Sequence, residues 1–89
     1  MGRARRSRPK MLGAKLLLIR NHFGLTQPKL IEQLNVKGEK LYPSNISLYE
    51  TGKREPSLPV LLAYARLAGL SMDALVDDKL KLRHKDFPD

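Results

Sequence analysis

An all-α fold in one small domain is what this sequence predicts, on two observations. Apolar residues recur at helical spacing in several segments, and each segment is bounded by residues that typically begin or end helices. By contrast, no stretch alternates apolar and polar residues strongly enough to form the core of a sheet. The length of 89 residues and the 42% hydrophobic content suffice for one core but not for several domains.

A first helix is predicted from about residue 11. Its apolar residues recur at spacings of four, three and four positions, which places them on one helical face. These residues are Leu12, Leu16, Ile19 and Phe23. Gly24 then ends the helix, since glycine readily takes the left-handed conformation found just after helix C-termini.

A second helix is predicted to follow Thr26, whose hydroxyl can cap it. Pro28 falls in its first turn, where the missing N–H costs little, and Lys29 stands where a capping box would have Glu or Gln. Its buried face is formed by Leu30, Ile31 and Leu34. Residues 35–41 are then predicted to form a polar, exposed loop.

The third and fourth helices have clearer apolar faces. The third is predicted over residues 43–50, with Ile46 and Tyr49 on its buried side. The fourth begins after Ser57 and ends at Gly69. Its inward residues are predicted to be Leu58, Leu61, Leu62, Ala65 and Leu67.

A short fifth helix is predicted after Ser71, a capping residue, with Asp73 in its first turn, where the helix dipole favours negative charge. The folded domain therefore spans residues 11–77. Residues 78–89 form a C-terminal tail that alternates weakly at Leu80 and Leu82, so a short strand and a loose end both remain open.

Positive charge is concentrated at the N-terminus. The chain has a formal net charge of +8 and a pI near 10.1, and its first ten residues contain five cations and no acid. These cations are Arg3, Arg5, Arg6, Arg8 and Lys10. With no apolar face to bury, residues 1–10 are predicted to form a basic, flexible arm, and a polyanion is the leading partner.

The composition excludes several classes of protein. Without cysteine, the chain has no disulfide, thiolate metal site or cysteine nucleophile. No apolar run, residues 16–19 included, is long enough for a bilayer span or a signal peptide. We therefore expect a cytoplasmic protein with no membrane partner.

Few residues suggest catalysis or a cofactor. His22 and His84 are expected at opposite ends of the domain, with no acid at metal-ligand spacing around either. Asp73, Asp77 and Asp78 lack a general-base partner and a glycine-rich cradle, so dipole compensation and solvation explain them better. We therefore expect that the protein is not an enzyme and that it binds neither a metal ion nor a small-molecule cofactor.

One set of residues carries a family resemblance. In chain order it is Gly24, Leu25, Thr26, Gln27, Ile46, Ser47, Tyr49, Glu50, Thr51, Gly52, Lys53, Arg54, Glu55 and Pro56. This series resembles the Cro and phage-repressor family of helix-turn-helix proteins, and the similarity covers roughly residues 11–77. The resemblance implies a five-helix repressor-like fold, with the second and third helices as the DNA-binding pair and the third in the major groove.

Two features depart from the family pattern. The connection between the second and third helices is about five residues longer than in compact helix-turn-helix units. Ile31 and Asn35 stand where the family favours a small residue and a glycine. Asparagine nevertheless tolerates the left-handed conformation that such a turn requires.

The resemblance also implies DNA-contacting residues. Because Ile46 and Tyr49 face the core, the bases would be contacted by Pro43, Ser44, Ser47 and Leu48, here called the base-contact surface. Phosphate contacts are implied for Gln27, Tyr42, Asn45, Thr51, Lys53 and Arg54. Serine can bond most base edges and leucine can touch a thymine methyl, so DNA shape and the arm would add to specificity.

Several of these positions have other interpretations. Asn45 would contact a base if the third helix were rotated. Tyr42 and Tyr49 could be stacking aromatics of a single-strand binder, although the spacing of Tyr49 from Ile46 favours the core. Residues 51–54 could simply be a solvated run of charge.

An ion pair between Arg20 and Glu50 is implied by the same resemblance, since both residues match family positions that form such a pair. Each follows a buried neighbour in its own helix, so both side chains would begin at the rim of the core. A planar guanidinium can bond a carboxylate at two places, which would lock the third helix against the first.

Three functional hypotheses follow. The leading one is a transcriptional regulator, by default a repressor, that binds a palindromic operator in double-stranded DNA as a homodimer. The second is an antitoxin-type protein whose arm or tail wraps a toxin partner. The third is a non-specific RNA or nucleoid binder that depends on the basic arm alone.

Overall fold

The computed structural model describes residues 9–88, which contain five α-helices and no strand. The helices are α1 (Leu12–His22), α2 (Gln27–Leu34), α3 (Pro43–Glu50), α4 (Leu58–Ala68) and α5 (Met72–Val76), followed by a 3-10 helix (His84–Asp86). The predicted all-α class is confirmed, and all five predicted helices are present.

The predicted helix caps explain why these boundaries are well defined. The side-chain hydroxyls of Thr26, Ser57 and Ser71 each accept a hydrogen bond from the backbone N–H three residues later, over 3.2, 3.4 and 3.3 Å. Asn35 ends α2 in the left-handed conformation, with φ 47° and ψ 51°. The polar segment that follows is then free to leave the helix axis.

The core forms around α1, which contacts α3, α4 and α5. The largest fully buried side chains are Tyr64, Leu16, Ile19, Leu30, Ile46, Leu61, Leu75 and Val60. On α4 the prediction was partly wrong, since Leu58 and Leu62 are 72% and 39% exposed. Leu61 and Ala65 are buried as predicted, Val60, Tyr64 and Ala68 complete the inward face, and Leu58 and Leu62 lie beyond its edge.

The C-terminal tail is neither a strand nor a loose end. The Asp78 carboxylate accepts hydrogen bonds from the backbone N–H groups of Lys10 and Met11, over 2.8 and 3.0 Å. Near the other end of the tail, the ring of Phe87 is buried and stacks on His22 with a centroid distance of 4.0 Å. The tail therefore runs alongside α1, fixed near both ends of that helix.

This path corrects two expectations. His22 and His84 do not lie at opposite ends of the domain, because the tail brings their Nδ1 atoms to 3.0 Å from each other. Lys10, assigned to the arm, has an exposed side chain but a backbone fixed to Asp78. The folded part of the chain therefore includes Lys10.

Lys15 has a structural role that the sequence does not reveal. Its side chain is buried in α1, and its Nζ atom donates hydrogen bonds to the carbonyl oxygens of Ala74 and Asp77 at the end of α5, over 2.8 and 2.9 Å. These bonds satisfy carbonyls left without partners at a helix C-terminus. Burial lowers the pKa of the ammonium group, while the charges of Asp78 and Asp77 oppose that shift.

Asp78 should make the stability of the fold depend on acidic pH. The backbone N–H groups of Met11 and Lys10 hold the pKa of its carboxyl below the ordinary value. Such a group stabilises the folded state fully above its ordinary pKa and loses that contribution as the pH falls through the lowered value. We expect Asp78→Asn to destabilise the protein at neutral pH, with the difference from wild type vanishing as the solution becomes strongly acidic.

Urea unfolding of both proteins between about pH 2 and pH 7 measures this difference. Glu32→Gln is the control, since among the described residues its carboxylate meets only the Lys29 ammonium, at 3.9 Å. Parallel stability curves for the wild type and Asp78→Asn across the whole range would contradict the assignment.

Candidate nucleic-acid interface

A hydrogen bond joins the start of α2 to the outer face of α3. Gln27 is the first residue of α2, and its Nε2 donates to the Oγ of Ser47 over 2.9 Å. The structure thus brings a predicted phosphate-contacting residue next to a predicted base-contacting one. Both side chains lie at the surface, where a ligand along α3 would meet them together.

The predicted faces of α3 are separated as expected. Ile46 and Tyr49 are 0% and 5% exposed and pack in the core. On the other side Pro43, Ser44 and Ser47 are exposed, and Leu48 is half-buried. The base-contact surface is therefore a small, nearly uncharged strip along the outside of α3.

Two predicted phosphate contacts are otherwise engaged in the structure. The Oδ1 of Asn45 accepts a hydrogen bond from the Tyr42 N–H over 2.8 Å, which fixes the start of α3. The Oγ1 of Thr51 donates to the carbonyl oxygen of Ser47 over 2.9 Å at the end of the same helix. Both side chains stabilise the helix ends. The Thr51 hydroxyl could donate to a phosphate only by giving up its present bond, whereas Asn45 would use its side-chain NH2 group, which the bond to Oδ1 does not occupy.

The remaining predicted phosphate contacts lie at the two ends of α3. Tyr42, just before the helix, is 52% exposed, and the Lys40 Nζ lies 5.8 Å from the centre of its ring. Lys53 and Arg54, just after the helix, are exposed. Cationic groups thus flank the base-contact surface on both sides.

The arm residues Arg3, Arg5, Arg6 and Arg8 lie outside the described residues. The chain enters the described region at Pro9, which together with Lys10, Gly52 and Arg54 lines a cavity of about 160 Å³. Pro9 and Lys10 therefore lie beside the C-terminal end of α3. Sequence periodicity gives no indication of this proximity, since it depends on how α1 and α3 pack.

The Arg20–Glu50 ion pair is present and bidentate. The Nε and Nη2 atoms of Arg20 donate to Oε2 and Oε1 of Glu50 over 2.6 and 3.1 Å, and the two side chains are only 19% and 7% exposed. The Nη1 atom also donates to the carbonyl oxygen of Leu25 over 3.0 Å. One guanidinium therefore joins α1, the α1–α2 connection and α3, and the hydrogen bond to Glu50 raises the pKa of Arg20.

Gly13 marks the closest approach of α1 to α3. A Cβ atom at this position would lie 2.8 Å from the carbonyl oxygen of Tyr49 and 2.9 Å from that of Glu50. Both distances are shorter than real Cβ contacts, and the opposing atoms are backbone. Glycine here lets the end of α3 rest directly on the first turn of α1.

Tyr64 is a core residue that the sequence pattern missed. Its side chain is fully buried, and its hydroxyl has no hydrogen-bond partner among the described residues. Burial raises the pKa of Tyr64 well above the ordinary value, and the charge of Glu50 adds to that shift. The phenol therefore remains neutral and serves as packing for α4.

A metal centre or membrane span has no support in the described region. Residues 9–88 contain no group of three or more His, Cys, Asp or Glu side chains able to hold a metal ion. None of the helices there combines the length and the apolar character that crossing a bilayer requires. Comparisons with protein-family models, curated proteins and solved structures find no match to this chain.

Proposed function

We propose that this protein is a repressor-like helix-turn-helix regulator that binds specific sequences in double-stranded DNA. The observation that carries the proposal is the hydrogen bond from Gln27 at the start of α2 to Ser47 on the outer face of α3. A phosphate-contacting group and a base-contacting group must be held in fixed register if α3 is to enter the major groove in one orientation. The bond provides that register.

The charges around α3 support the same ligand. The Lys40 ammonium lies beside Tyr42 just before the helix, Lys53 and Arg54 follow the helix, and Lys10 lies beside its C-terminal end. Cations at these places would hold the phosphates on either side of a groove, while the uncharged side chains of the base-contact surface meet base edges. Non-specific binding by the arm alone would require neither cations at the ends of α3 nor uncharged side chains along it.

The proposed active form is a homodimer on a palindromic operator, acting as a repressor. One α3 contacts too few base pairs for useful specificity, and a two-fold dimer doubles the site. Leu58 and Leu62 lie one turn apart on α4 and are the candidate contact between copies, since both are exposed and uncharged. Burial of such residues favours association of like surfaces.

Selection of bound sequences from random duplex DNA tests sequence specificity and symmetry together. We expect a palindromic motif with half-sites about 34 Å apart, or a multiple of that spacing. Ser44→Ala and Leu48→Ala should change the preferred bases at particular positions more than they change overall affinity, each by less than the roughly 1–3 kcal/mol of a bidentate side-chain contact to a base.

Lys81→Ala, on the tail, is the control and should select the wild-type motif. Thermal unfolding identifies any variant whose fold is lost, which matters for the half-buried Leu48. Enrichment of no motif at all would leave the non-specific nucleic-acid hypothesis in its place. Uniform weakening of every operator by the two α3 variants would refute the base-contact surface.

The arm should contribute affinity for every duplex. Replacing Arg3, Arg5, Arg6 and Arg8 with alanine should weaken binding to all duplexes and reduce the slope of log affinity against log salt by roughly 0.9 for each phosphate that the arm neutralises. Alanine at the same number of tail cations, Lys79, Lys81, Arg83 and Lys85, is the matched control. An equal reduction in both proteins would mean that net charge, and not the arm, sets the slope.

The antitoxin-type hypothesis predicts that the arm or the tail is available to wrap a toxin. In the described residues the tail is instead packed on α1 through Asp78 and Phe87. A protein partner is therefore better sought at the surface that this packing creates.

A further inference from the structure

An apolar groove lies between the outer face of α1 and the tail, and we call it the tail groove. Its volume is about 530 Å³, within the usual range for ligand pockets. The apolar side chains that line it include Met11, Leu18, Leu80 and Leu82. Met11 and Leu80 are 49% and 45% exposed, so folding of the described chain leaves them uncovered. Exposed apolar surface gathered in one groove marks an interaction site.

The walls of the tail groove are already in place. Asp78 binds two backbone N–H groups at the start of α1, and Phe87 is buried against His22 at its end. Between these anchors Leu82 packs against the core. A partner would therefore meet a preformed surface and would not have to order the tail first, which lowers the entropic cost of binding.

The rim of the tail groove is cationic. Lys81 and Arg83 line it, and Lys10 is exposed beside Met11. The carboxylate oxygens of Asp78, the one acid among the described residues of the lining, accept the two backbone hydrogen bonds. Arg83 meets Asp86 at 3.6 Å yet stays 63% exposed, so it can still contact a ligand. An acidic partner is favoured by this rim.

We propose that the tail groove docks an acidic amphipathic helix of a partner protein. From Met11 to Leu18 the groove follows α1 for about 10 Å, which is the axial distance between residues i and i+7 of a helix. Apolar residues at i, i+3, i+4 and i+7 would enter between α1 and the tail. Acidic residues beside them would face Lys81 and Arg83.

The charge of the rim also decides against two other occupants. A second copy of the chain would bring its own Lys81 and Arg83 toward the same cations across a two-fold contact. The N-terminal arm of the same chain carries four arginines and no acid before Pro9. Both occupants place like charges together, which disfavours them.

The tail groove is separate from the candidate DNA surface. Successive residues of a helix are rotated by about 100°, so Met11 and Leu18 lie on the side of α1 roughly opposite Gly13 and Arg20. Gly13 and Arg20 are the residues that meet α3. The groove would therefore stay open with DNA on α3, and its occupancy does not depend on the proposed DNA binding.

The probe is a synthetic, fluorescein-labelled helix of roughly 15 residues, with leucines at i, i+3, i+4 and i+7 and glutamates on the flanks. Its binding to the full chain is followed by fluorescence anisotropy. A scrambled peptide and a version with lysines replacing the glutamates are the peptide controls. We expect saturable binding of the glutamate peptide and at least about tenfold weaker binding of both controls.

Variants of the chain locate the binding. Leu80→Ser should weaken the binding of the glutamate peptide at least about tenfold, while Leu58→Ser on α4 should leave that binding unchanged. The double variant Lys81→Glu and Arg83→Glu should weaken the glutamate peptide and strengthen the lysine peptide. Equal binding of all peptides, or no effect of these changes, would overturn the proposal.

Two further measurements exclude the other occupants. Tighter peptide binding by the chain with alanine at Arg3, Arg5, Arg6 and Arg8 would show that the arm fills the groove. A dimer in sedimentation that Leu80→Ser dissociates would show a second copy there. Either result would overturn the acidic partner, and neither depends on whether the chain binds DNA.

Discussion

Gly13→Ala should destabilise this protein by about 2 kcal/mol or more, although alanine is the better helix former. The new Cβ would lie 2.8 and 2.9 Å from the carbonyl oxygens of Tyr49 and Glu50. Backbone oxygens at a helix end cannot turn aside as a flexible side chain can. The end of α3 must therefore move away from α1, and the base-contact surface moves with it.

Thermal unfolding measures this effect, and for a domain of this size we expect the melting temperature to fall by roughly 10 °C. Ala14→Gly is the matched control, because Ala14 is exposed in the same helix and reports helix propensity, which costs up to about 1 kcal/mol. Propensity alone would make Gly13→Ala stabilising. A neutral or stabilising Gly13→Ala would show that α1 and α3 do not meet closely here.

The same substitution should weaken any ligand held by α3. Its displacement would alter the register set by Gln27 and Ser47, so affinity should fall even at temperatures where the variant is folded. Ala14→Gly should leave affinity unchanged. The comparison separates a shift of the helix from simple loss of folded protein.

What the sequence could predict was mostly local. Helix caps depend on one hydroxyl and the next turn of backbone, so Thr26, Ser57 and Ser71 could be identified from a few residues each. The buried face of α3 followed from the spacing of Ile46 and Tyr49. The partnership of Arg20 with Glu50 came from a family resemblance, since no periodic pattern pairs residues this far apart.

What the sequence could not predict depends on contacts between distant segments. Asp78 was interpreted as a solvated acid but binds the start of α1, and nothing in the sequence indicated that Lys15 binds the end of α5. The tail offered only weak alternation, because its packing depends on Phe87 meeting His22. On α4 the orientation of the helix about its own axis buries Tyr64 and leaves Leu58 exposed, and the spacing of apolar residues did not determine that orientation.

The candidate site shows the same division. Exposure along α3 could be inferred from helical geometry, but the engagement of Asn45 and Thr51 in the helix ends could not. Whether such a side chain bonds to the backbone or is available to a ligand depends on the local turn geometry. Short polar side chains at helix ends are therefore weaker candidates for ligand contacts than their exposure suggests.

Loss of the Glu50 carboxylate should cost on the order of 3 kcal/mol, the largest effect expected for a single polar side chain here. Glu50 is 7% exposed and accepts both bonds from Arg20. Glu50→Gln keeps the shape but removes the charge and turns a donor toward the guanidinium. Arg20 would remain cationic and partly buried without its counter-charge, since a guanidinium group does not lose its proton in proteins.

The expected result is a parallel loss of stability and of the proposed DNA affinity, because the guanidinium also holds the carbonyl of Leu25 and so positions α2 as well as α3. Urea unfolding measures the first quantity and operator titration the second. Arg20→Gln combined with Glu50→Gln completes a double-mutant cycle. The double variant should lose less than the sum of the single losses, because it leaves no charge unpaired.

The exposed pair Lys29–Glu32 provides the matched control. Its atoms lie 3.9 Å apart with both side chains about two-thirds exposed, at 66% and 68%. Solvent screens such a pair, so Glu32→Gln should change stability by less than about 1 kcal/mol. If Glu50→Gln were as mild as Glu32→Gln, the Arg20–Glu50 pair would not be what holds α3 against α1. The close approach at Gly13 would then be the principal constraint on the position of α3.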